Sequence, residues 1–285
     1  MNFPSDDTNQ RWTILHPSLN FIGEHSCIIA HENRYVLVPQ GNDQILIFDS
    51  HTRSTYYLPR LQQLSLLCSV AIVGDYYYML TWIQDHVYRI KLPRQEDSKW
   101  EKMDWMCPVN STQCLASLDR NIYSFSYEGN AMYDVDNDQW SRMPKTPRNI
   151  SITVAMVVGQ VIFVGGKRMR SELEFIGCIW KESLQVWEEC FMMALDFYCA
   201  AAVGDNLLVL VGRENEEERY LTFFLYDLTT RERRRSHVVY QMQGTDDCIG
   251  MLRVAVVGEY LVLAESHLES IPLDYLLTNS NRVEL

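Results

Sequence analysis

Pairs of short apolar stretches, each pair separated by a tight polar turn, recur along the whole chain. The turn contains glycine in four copies, as in Gly74-Asp75 and Gly159-Gln160. Glycine accepts the positive φ that tight hairpin turns require, so each copy predicts a β-hairpin. The six copies cover residues 27–38, 70–80, 114–125, 154–164, 200–210 and 254–263.

The spacing of these turns predicts the architecture. The turn positions are Glu32, Gly74, Asp119, Gly159, Gly204 and Gly258. They lie 42, 45, 40, 45 and 54 residues apart, which leaves room for four short strands in each repeat. A period near 45 with frequent turns is typical of β-propellers. We therefore expect an all-β fold, a six-bladed β-propeller of four-stranded antiparallel blades, with residues 1–285 in a single domain.

Two further repeating features have the same phase. An aspartate that can begin an Asx turn is expected after the third strand of a blade, and an aromatic residue is expected on the fourth strand. The aspartates are Asp49, Asp134, Asp227 and Asp274, and the aromatic residues are Trp12, Tyr56, Trp100, Trp140 and Trp187.

The two ends of the chain complement each other. Trp12 belongs to a predicted fourth strand that has no first three strands before it, whereas residues 270–274 form a third strand with little chain after it. A strand at residues 11–15 therefore completes the last blade. This closure removes the free sheet edges and ties the ring shut.

Charge and composition narrow the classes of partner. The chain has 285 residues, is 47% hydrophobic and has a formal net charge of −12. An acidic surface repels nucleic-acid backbones and anionic membranes, so neither is expected as a partner. The exception is a basic cluster at residues 231–235, which is interpreted as a solvated turn, with a nucleic-acid patch or a nuclear-import signal as the alternatives.

Targeting features and cysteine usage point to the cytoplasm, with the nucleus as the alternative. The chain has no apolar run of about 18 residues, and its first residues lack the pattern of a signal peptide. The eight cysteines include no Cys-x-x-Cys pair and most lie in apolar runs, so buried reduced thiols are expected.

Two segments resemble the kelch repeat: residues 158–166 (VGQVIFVGG) and residues 132–140 (MYDVDNDQW). The double glycine of that repeat occurs only at Gly165-Gly166. The resemblance extends over essentially the whole chain. It implies a non-catalytic protein–protein interaction module, a scaffold or a substrate-recruiting adaptor, with a ubiquitin ligase or another large assembly as its setting. The expected partner is a protein or peptide, acidic segments included, and the propeller itself is expected to be monomeric.

The binding site is predicted at one mouth of the ring, where loops converge on a rigid scaffold. Aromatic residues and arginines supply most interface energy, so they are the candidate contacts. Arg148, Lys167, Arg168 and Arg170 belong to one predicted blade, where they can form a basic spot for a carboxylate or phosphate. The alternative is solvated loop charge. The predicted contacts are Trp82, Tyr127, Arg148, Lys167, Arg168, Arg170, Tyr198 and Arg253.

Catalysis has little support in the sequence. No nucleophile elbow, zinc-protease helix, phosphate-binding loop or dinucleotide fingerprint occurs, and the seven histidines are dispersed. We therefore expect no catalytic residue, metal or cofactor. The alternative function is a sugar-binding or sugar-isomerising (mutarotase-like) propeller, because such an activity needs only a few polar groups in the channel.

Overall fold

The computed structural model contains 25 β-strands and almost no helix within the residues that it describes. The described residues are 13–16, 28–31, 35–40, 44–61, 68–81, 86–92, 99–106, 108, 114–168, 174–213, 220–241, 253–264 and 268–282.

The strands form six antiparallel sheets. The N-terminal strand is β1 (Thr13–His16). Sheet 1 contains β2 (Ile29–His31), β3 (Tyr35–Gln40), β4 (Gln44–Asp49) and β5 (Ser54–Tyr57). Sheet 2 contains β6 (Cys68–Val73), β7 (Tyr76–Thr81), β8 (His86–Lys91) and β9 (Glu101–Met106). Sheet 3 contains β10 (Cys114–Leu118), β11 (Asn121–Phe125), β12 (Asn130–Asp134) and β13 (Gln139–Met143).

The second half of the chain continues this pattern. Sheet 4 contains β14 (Ile150–Val158), β15 (Val161–Arg168), β16 (Glu174–Lys181) and β17 (Val186–Ala194), with a short 3-10 turn at Glu182–Leu184. Sheet 5 contains β18 (Asp196–Val203), β19 (Leu207–Arg213), β20 (Tyr220–Asp227) and β21 (Arg233–Gln241). Sheet 6 contains β22 (Arg253–Val257), β23 (Tyr260–Ala264) and β24 (Leu268–Pro272), and β1 pairs with β24.

The hydrophobic core consists of apolar layers between neighbouring sheets. One layer joins sheets 1 and 2, and others join sheets 2 and 3, 3 and 4, 4 and 5, and 5 and 6. A further layer joins sheet 6 back to sheet 1 through residues such as Phe48 and Val262. The first strands of neighbouring sheets contact each other in the same cyclic order. The arrangement is a β-propeller-like ring.

The predicted hairpin turns are confirmed wherever the structure describes them. The turn residues Gly74, Asp119, Gly159, Gly204 and Gly258 all have φ between 53° and 59°. This left-handed conformation is accessible to glycine at little cost and is tolerated by aspartate. The first predicted turn, at Glu32, lies outside the described residues, although its flanking strands β2 and β3 are paired.

Three of the four predicted Asx turns are confirmed. Asp134 Oδ1 accepts hydrogen bonds from the backbone N–H groups of Asp136 and Asn137 at 2.9 and 3.0 Å. Asp49 and Asp227 make the same pair of bonds at the ends of β4 and β20. The prediction for Asp274 was wrong, because Asp274 lies in a short helix, α1 (Leu273–Thr278), that directly follows β24.

The fourth-strand aromatic residues lie on the outer strands or next to them. Tyr56, Trp140 and Trp187 are in β5, β13 and β17, and Trp100 directly precedes β9. The indoles of Trp100 and Trp187 donate hydrogen bonds to the carbonyl oxygens of Pro59 and Pro144, at 2.7 and 3.0 Å. Each bond ties an outer strand to a segment that follows the preceding sheet. Trp12 lies outside the described residues.

The ends of the chain differ in part from the prediction. The pairing of β1 with β24 agrees with the predicted closure by an N-terminal strand. After α1, however, the chain adds a strand, β25 (Ser280–Arg282), to the outer edge of sheet 5. Five sheets therefore have the predicted four strands and sheet 5 has five. The return is possible because Leu273 and Leu276 of α1 are buried in the apolar layer between sheets 5 and 6.

Candidate functional site at the rim of sheets 4 and 5

Sheets 4 and 5 extend farther toward one end of the ring than sheet 3 does. The strands of sheet 3 each have five residues, whereas those of sheet 4 have eight or nine. The hairpin turns at Asp119 and Gly159 are equivalent. When the two hairpins are aligned on these turns, the extra residues of sheet 4 all lie at the end away from the turn. Sheets 4 and 5 therefore form a raised rim at the mouth where binding residues are predicted.

Each extended hairpin of the rim contains a bulge and a glycine. The ladder shifts between Ile152 and Val154 opposite Gly166, and between Phe197 and Cys199 opposite Gly212. A Cβ on Gly166 would lie 2.1 Å from the Ser151 carbonyl oxygen, and one on Gly212 would lie 2.6 Å from that of Asp196. Glycine is required because the two strands approach too closely for a side chain.

A basic residue follows each of these glycines. Lys167 and Arg213 occupy equivalent places at the ends of β15 and β19. Both bind the same carboxylate: Lys167 Nζ lies 3.0 Å from Asp196 Oδ1, and Arg213 Nη2 lies 3.0 Å from Asp196 Oδ2. These three residues, the rim cluster, link sheet 4 to sheet 5 and have a net charge of +1.

The members of the rim cluster differ in exposure. The side chain of Arg213 is 10% exposed and that of Asp196 is 16% exposed, whereas that of Lys167 is 34% exposed. A nearly buried arginine needs its carboxylate, because an unpaired charge in that place would be costly. Arg213 and Asp196 thus form the fixed base of the cluster, and Lys167 presents a positive charge to solvent.

Two other predicted cations of the basic spot, Arg168 and Arg148, are also paired with carboxylates. Arg168 lies 2.9 Å from Glu174, and Arg148 lies 2.7 Å from Glu189. Lys167 and Arg168 are in β15, although a loop was predicted there. Arg148 has a φ of 70° and reaches the outer strand β17, away from the rim cluster. The described part of the predicted spot is therefore a row of ion pairs, and Arg170 lies outside the described residues.

Three of the remaining predicted contacts, Tyr127, Tyr198 and Arg253, are dispersed around the same mouth. Tyr127 is 54% exposed in the loop between β11 and β12. Tyr198 is in β18, at the bulge beside Asp196. Arg253 begins β22. Burial raises the pKa of the Cys199 thiol to about 12, and the positive charge of Arg253 acts in the opposite direction. Arg253 therefore lies near the start of sheet 5. Trp82 lies outside the described residues.

Asp196 and Arg213 are not among the contacts predicted from the sequence. A signal for them is present, because Gly166-Lys167 and Gly212-Arg213 lie 46 residues apart, close to one repeat. That match marks the two cations as equivalent, but it does not reveal that one aspartate binds both. The sharing depends on how closely β14 and β18 approach each other, which the spacing of residues along the chain does not specify.

Metal-binding clusters and membrane-spanning helices were searched for among the described residues. No three His, Cys, Asp or Glu side chains there come together as a metal site. No helix in the same residues is long and apolar enough to cross a membrane.

Comparison with known proteins supports the fold. The solved structure described as "Structure of U3-55K" superposes with a TM-score of 0.54 over 87% of this chain and 80% of that chain, at 13% sequence identity. A likeness at this identity concerns the fold alone. No protein-family model matches the sequence, and no curated protein matches it.

Proposed function

We propose that the chain is a six-bladed, kelch-like β-propeller that acts as a non-catalytic interaction module, with a protein or peptide partner bound at the rim of sheets 4 and 5. The six apolar layers that close the ring support the number of blades. The repeated hairpin turns and Asx turns support the kelch-like class.

The observation that carries the proposed binding role is the raised rim with its cluster of Lys167, Asp196 and Arg213. Strands extended by bulges and glycines project charged side chains from a rigid ladder, so the groups are positioned before a partner arrives. Arginine, methionine and tyrosine are enriched in protein interfaces. Arg168, Met192 and Tyr127 are exposed on sheets 3 and 4.

The exposed charge of Lys167 favours a partner with a carboxylate at this contact. The side chain of Lys167 is 34% exposed and presents its ammonium group to solvent beside Asp196. Lys167 is the more exposed of the two cations and is the group that a partner reaches first. A carboxylate on the partner gains a charge-assisted hydrogen bond there without displacing Asp196. An adaptor or scaffold role in a ubiquitin ligase or another assembly, and a cytoplasmic location, belong to the same proposal.

The test is quantitative affinity purification from the cells that produce the protein, using the wild type and two variants. Lys167→Ala/Arg168→Ala removes two charges from the rim. Lys99→Ala/Lys102→Ala removes two exposed charges beside and within β9 of sheet 2, away from the rim, and is the matched control. We expect the rim variant to lose partners that the control retains.

Other outcomes would contradict the proposed site. If both variants keep the partners, the interface lies elsewhere on the ring. If both lose them equally, the effect is one of overall charge. If no protein co-purifies even with the wild type, the sugar-binding alternative gains support and is tested by screening the wild type for sugar-induced thermal shifts.

A further inference from the structure

Met192 is an exposed methionine that directly precedes a buried one. Both belong to β17, and the exposed fraction is 46% for Met192 and 6% for Met193. In the ladder, Met192 is opposite Ile176, which packs in the layer between sheets 3 and 4. Met193 is opposite Phe175, which packs in the layer between sheets 4 and 5. The two side chains therefore have the same chemistry but very different access to solvent.

A bulge in β17 brings Glu189 onto the same face as Met192. Residues three apart in a regular strand lie on opposite faces, because the side chains alternate. Here the register shifts between Gly177 and Cys178 of β16, which leaves Cys190 as an extra residue in β17. The extra residue reverses the alternation. Glu189 and Met192 therefore both lie on the side of sheet 3.

Arg148 contacts both of these side chains from the segment that connects sheet 3 to sheet 4. Its Nε lies 2.7 Å from Glu189 Oε2, and its Nη1 lies 4.0 Å from the Met192 sulfur. The backbone of Arg148 has the left-handed φ of 70°, which is uncommon for a residue other than glycine. A guanidinium has several N–H donors in one plane, and a thioether is only a weak acceptor. The donor that faces Met192 is therefore poorly used by the unmodified side chain.

We propose that Met192 is a site of reversible oxidation to methionine sulfoxide, with Arg148 as the donor that binds the sulfoxide oxygen. With hydrogen peroxide as the oxidant, a lone pair of the sulfur attacks one peroxide oxygen. The S–O bond forms as the O–O bond breaks, the sulfur loses two electrons, and the second oxygen leaves as water. Methionine sulfoxide reductases reverse the change, with thiols as the source of electrons.

The guanidinium of Arg148 binds the product better than the thioether. An oxygen bonded to the sulfur is a stronger acceptor than the sulfur, and it lies closer to Nη1 when it is turned toward Arg148. Methionine has three rotatable bonds, so the sulfoxide can make this turn without movement of β17. Glu189 binds Nε rather than Nη1, so the new hydrogen bond leaves the ion pair in place.

Met192 lies in the extended part of sheet 4. It is opposite Ile176, which in turn is opposite Gly166 at the bulge of β14 and β15. Oxidation therefore replaces an apolar side chain by a polar one on the outer strand beside the rim. The oxidation itself does not require a partner at the rim, so failure of one proposal leaves the other standing.

The site is tested by treating the purified full chain with dilute hydrogen peroxide and following oxidation by peptide mass spectrometry. Fragment ions distinguish positions 192 and 193 within one peptide. We expect Met192 to be oxidised at least about tenfold faster than Met193, because oxidation follows exposure. Equal rates at the two positions, or faster oxidation of Met193, would overturn the inference.

The role of Arg148 is tested by the rate at which purified methionine sulfoxide reductases, supplied for both sulfoxide epimers, reduce the oxidised Met192. The variant is Arg148→Ala, and the matched control is Arg142→Ala, which changes an exposed arginine of β13 in sheet 3. A sulfoxide bound by Arg148 is less accessible to the reductases. We expect reduction to be about fivefold faster in Arg148→Ala than in the wild type and unchanged in Arg142→Ala.

Thermal unfolding of each oxidised protein shows that it is folded at the assay temperature. Equal reduction rates in the three proteins would overturn the assignment of Arg148 as the donor. Equal gains in both variants would also overturn it, because the effect would then be one of overall charge.

Discussion

Sheet 3 and sheets 4 and 5 are built on the same repeat but differ at the mouth. The ladder of sheet 3 has five residues in every strand and no register shift. Sheets 4 and 5 begin from the same turns, pass through bulges opposite Gly166 and Gly212, and continue for two to four more residues. The added residues carry the rim cluster. The comparison teaches that the turn end of the repeat preserves the fold, while the length of the strands at the other end creates the candidate binding surface.

Glycine at the bulge of sheet 4 is the part of this comparison with the largest expected effect. Gly166→Ala places a Cβ 2.1 Å from a backbone oxygen, so the strands must separate. We expect a loss of about 3 kcal/mol in the free energy of unfolding, measured by urea denaturation. The control is Gly129→Ala in the loop between β11 and β12, where no atom lies within 4 Å of the new Cβ and the change should stay within about 0.5 kcal/mol. Equal stability of the two variants would contradict the close approach of the strands.

The next largest effect separates the two cations of the rim cluster. Arg213→Met should lower the free energy of unfolding by about 3 kcal/mol, because it removes the nearly buried guanidinium that binds the nearly buried Asp196. Lys167→Met should cost less than about 1 kcal/mol, because Lys167 is one-third exposed and solvent screens its charge. Urea denaturation checks both variants. A larger loss for Lys167→Met would contradict the assignment of Arg213 to the structural base and Lys167 to the exposed contact.

A smaller effect is expected at the turn end of the sheets, where sheets 3 and 5 each have an Asx turn. Asp227 accepts hydrogen bonds from the backbone N–H groups of Thr229 and Thr230 and from the Asn206 side chain. Asp227→Ala should cost about 1 kcal/mol of stability because two turn donors lose their acceptor. Asp227→Asn keeps an acceptor oxygen and should recover most of the loss in thermal unfolding. Equal losses would show that the carboxylate charge matters rather than the turn geometry.

The smallest effect is a pH dependence in sheet 3. The Asn137 side chain and the backbone N–H groups of Asn137 and Asp136 hold the pKa of Asp134 below its ordinary value. A carboxyl whose pKa is lower in the folded state stabilises the fold above the unfolded pKa of about 3.9, and that contribution disappears as pH falls through the folded value. Asp134→Asn cannot lose this contribution. Its unfolding temperature should therefore fall less than that of the wild type between pH 5 and pH 2, and parallel curves would contradict the shift.

The repeat could be predicted from the sequence because it depends on local chemistry. Turns such as Gly159-Gln160 and Asx turns such as that of Asp134 are determined by a few neighbouring residues. The C-terminal helix and β25 could not be predicted in this way, because they depend on burial of Leu273 and Leu276 between two sheets and on a free edge of β21. Asp274, which matches the third-strand pattern, lies in that helix for the same reason.

The candidate site was less predictable than the fold. Lys167, Arg168 and Tyr127 lie at the predicted mouth, but the carboxylates that pair with the cations come from other strands. Asp196 binds two of the cations but is not part of any motif of the repeat. Which face of β21 each arginine occupies depends on the register of its ladder with β20. That register shifts at the bulge beyond Phe224, which a string of residue types does not reveal.

The most direct test of the rim as the recognition surface is site-specific photocrosslinking in the cells that produce the protein. A photoreactive phenylalanine analogue would replace Arg168 at the rim or, as the matched control, exposed Arg142 on the outer strand of sheet 3. We predict a crosslink from position 168 to a protein partner and none to that partner from position 142. A crosslink from position 142 with none from position 168 would contradict binding at the rim of sheets 4 and 5.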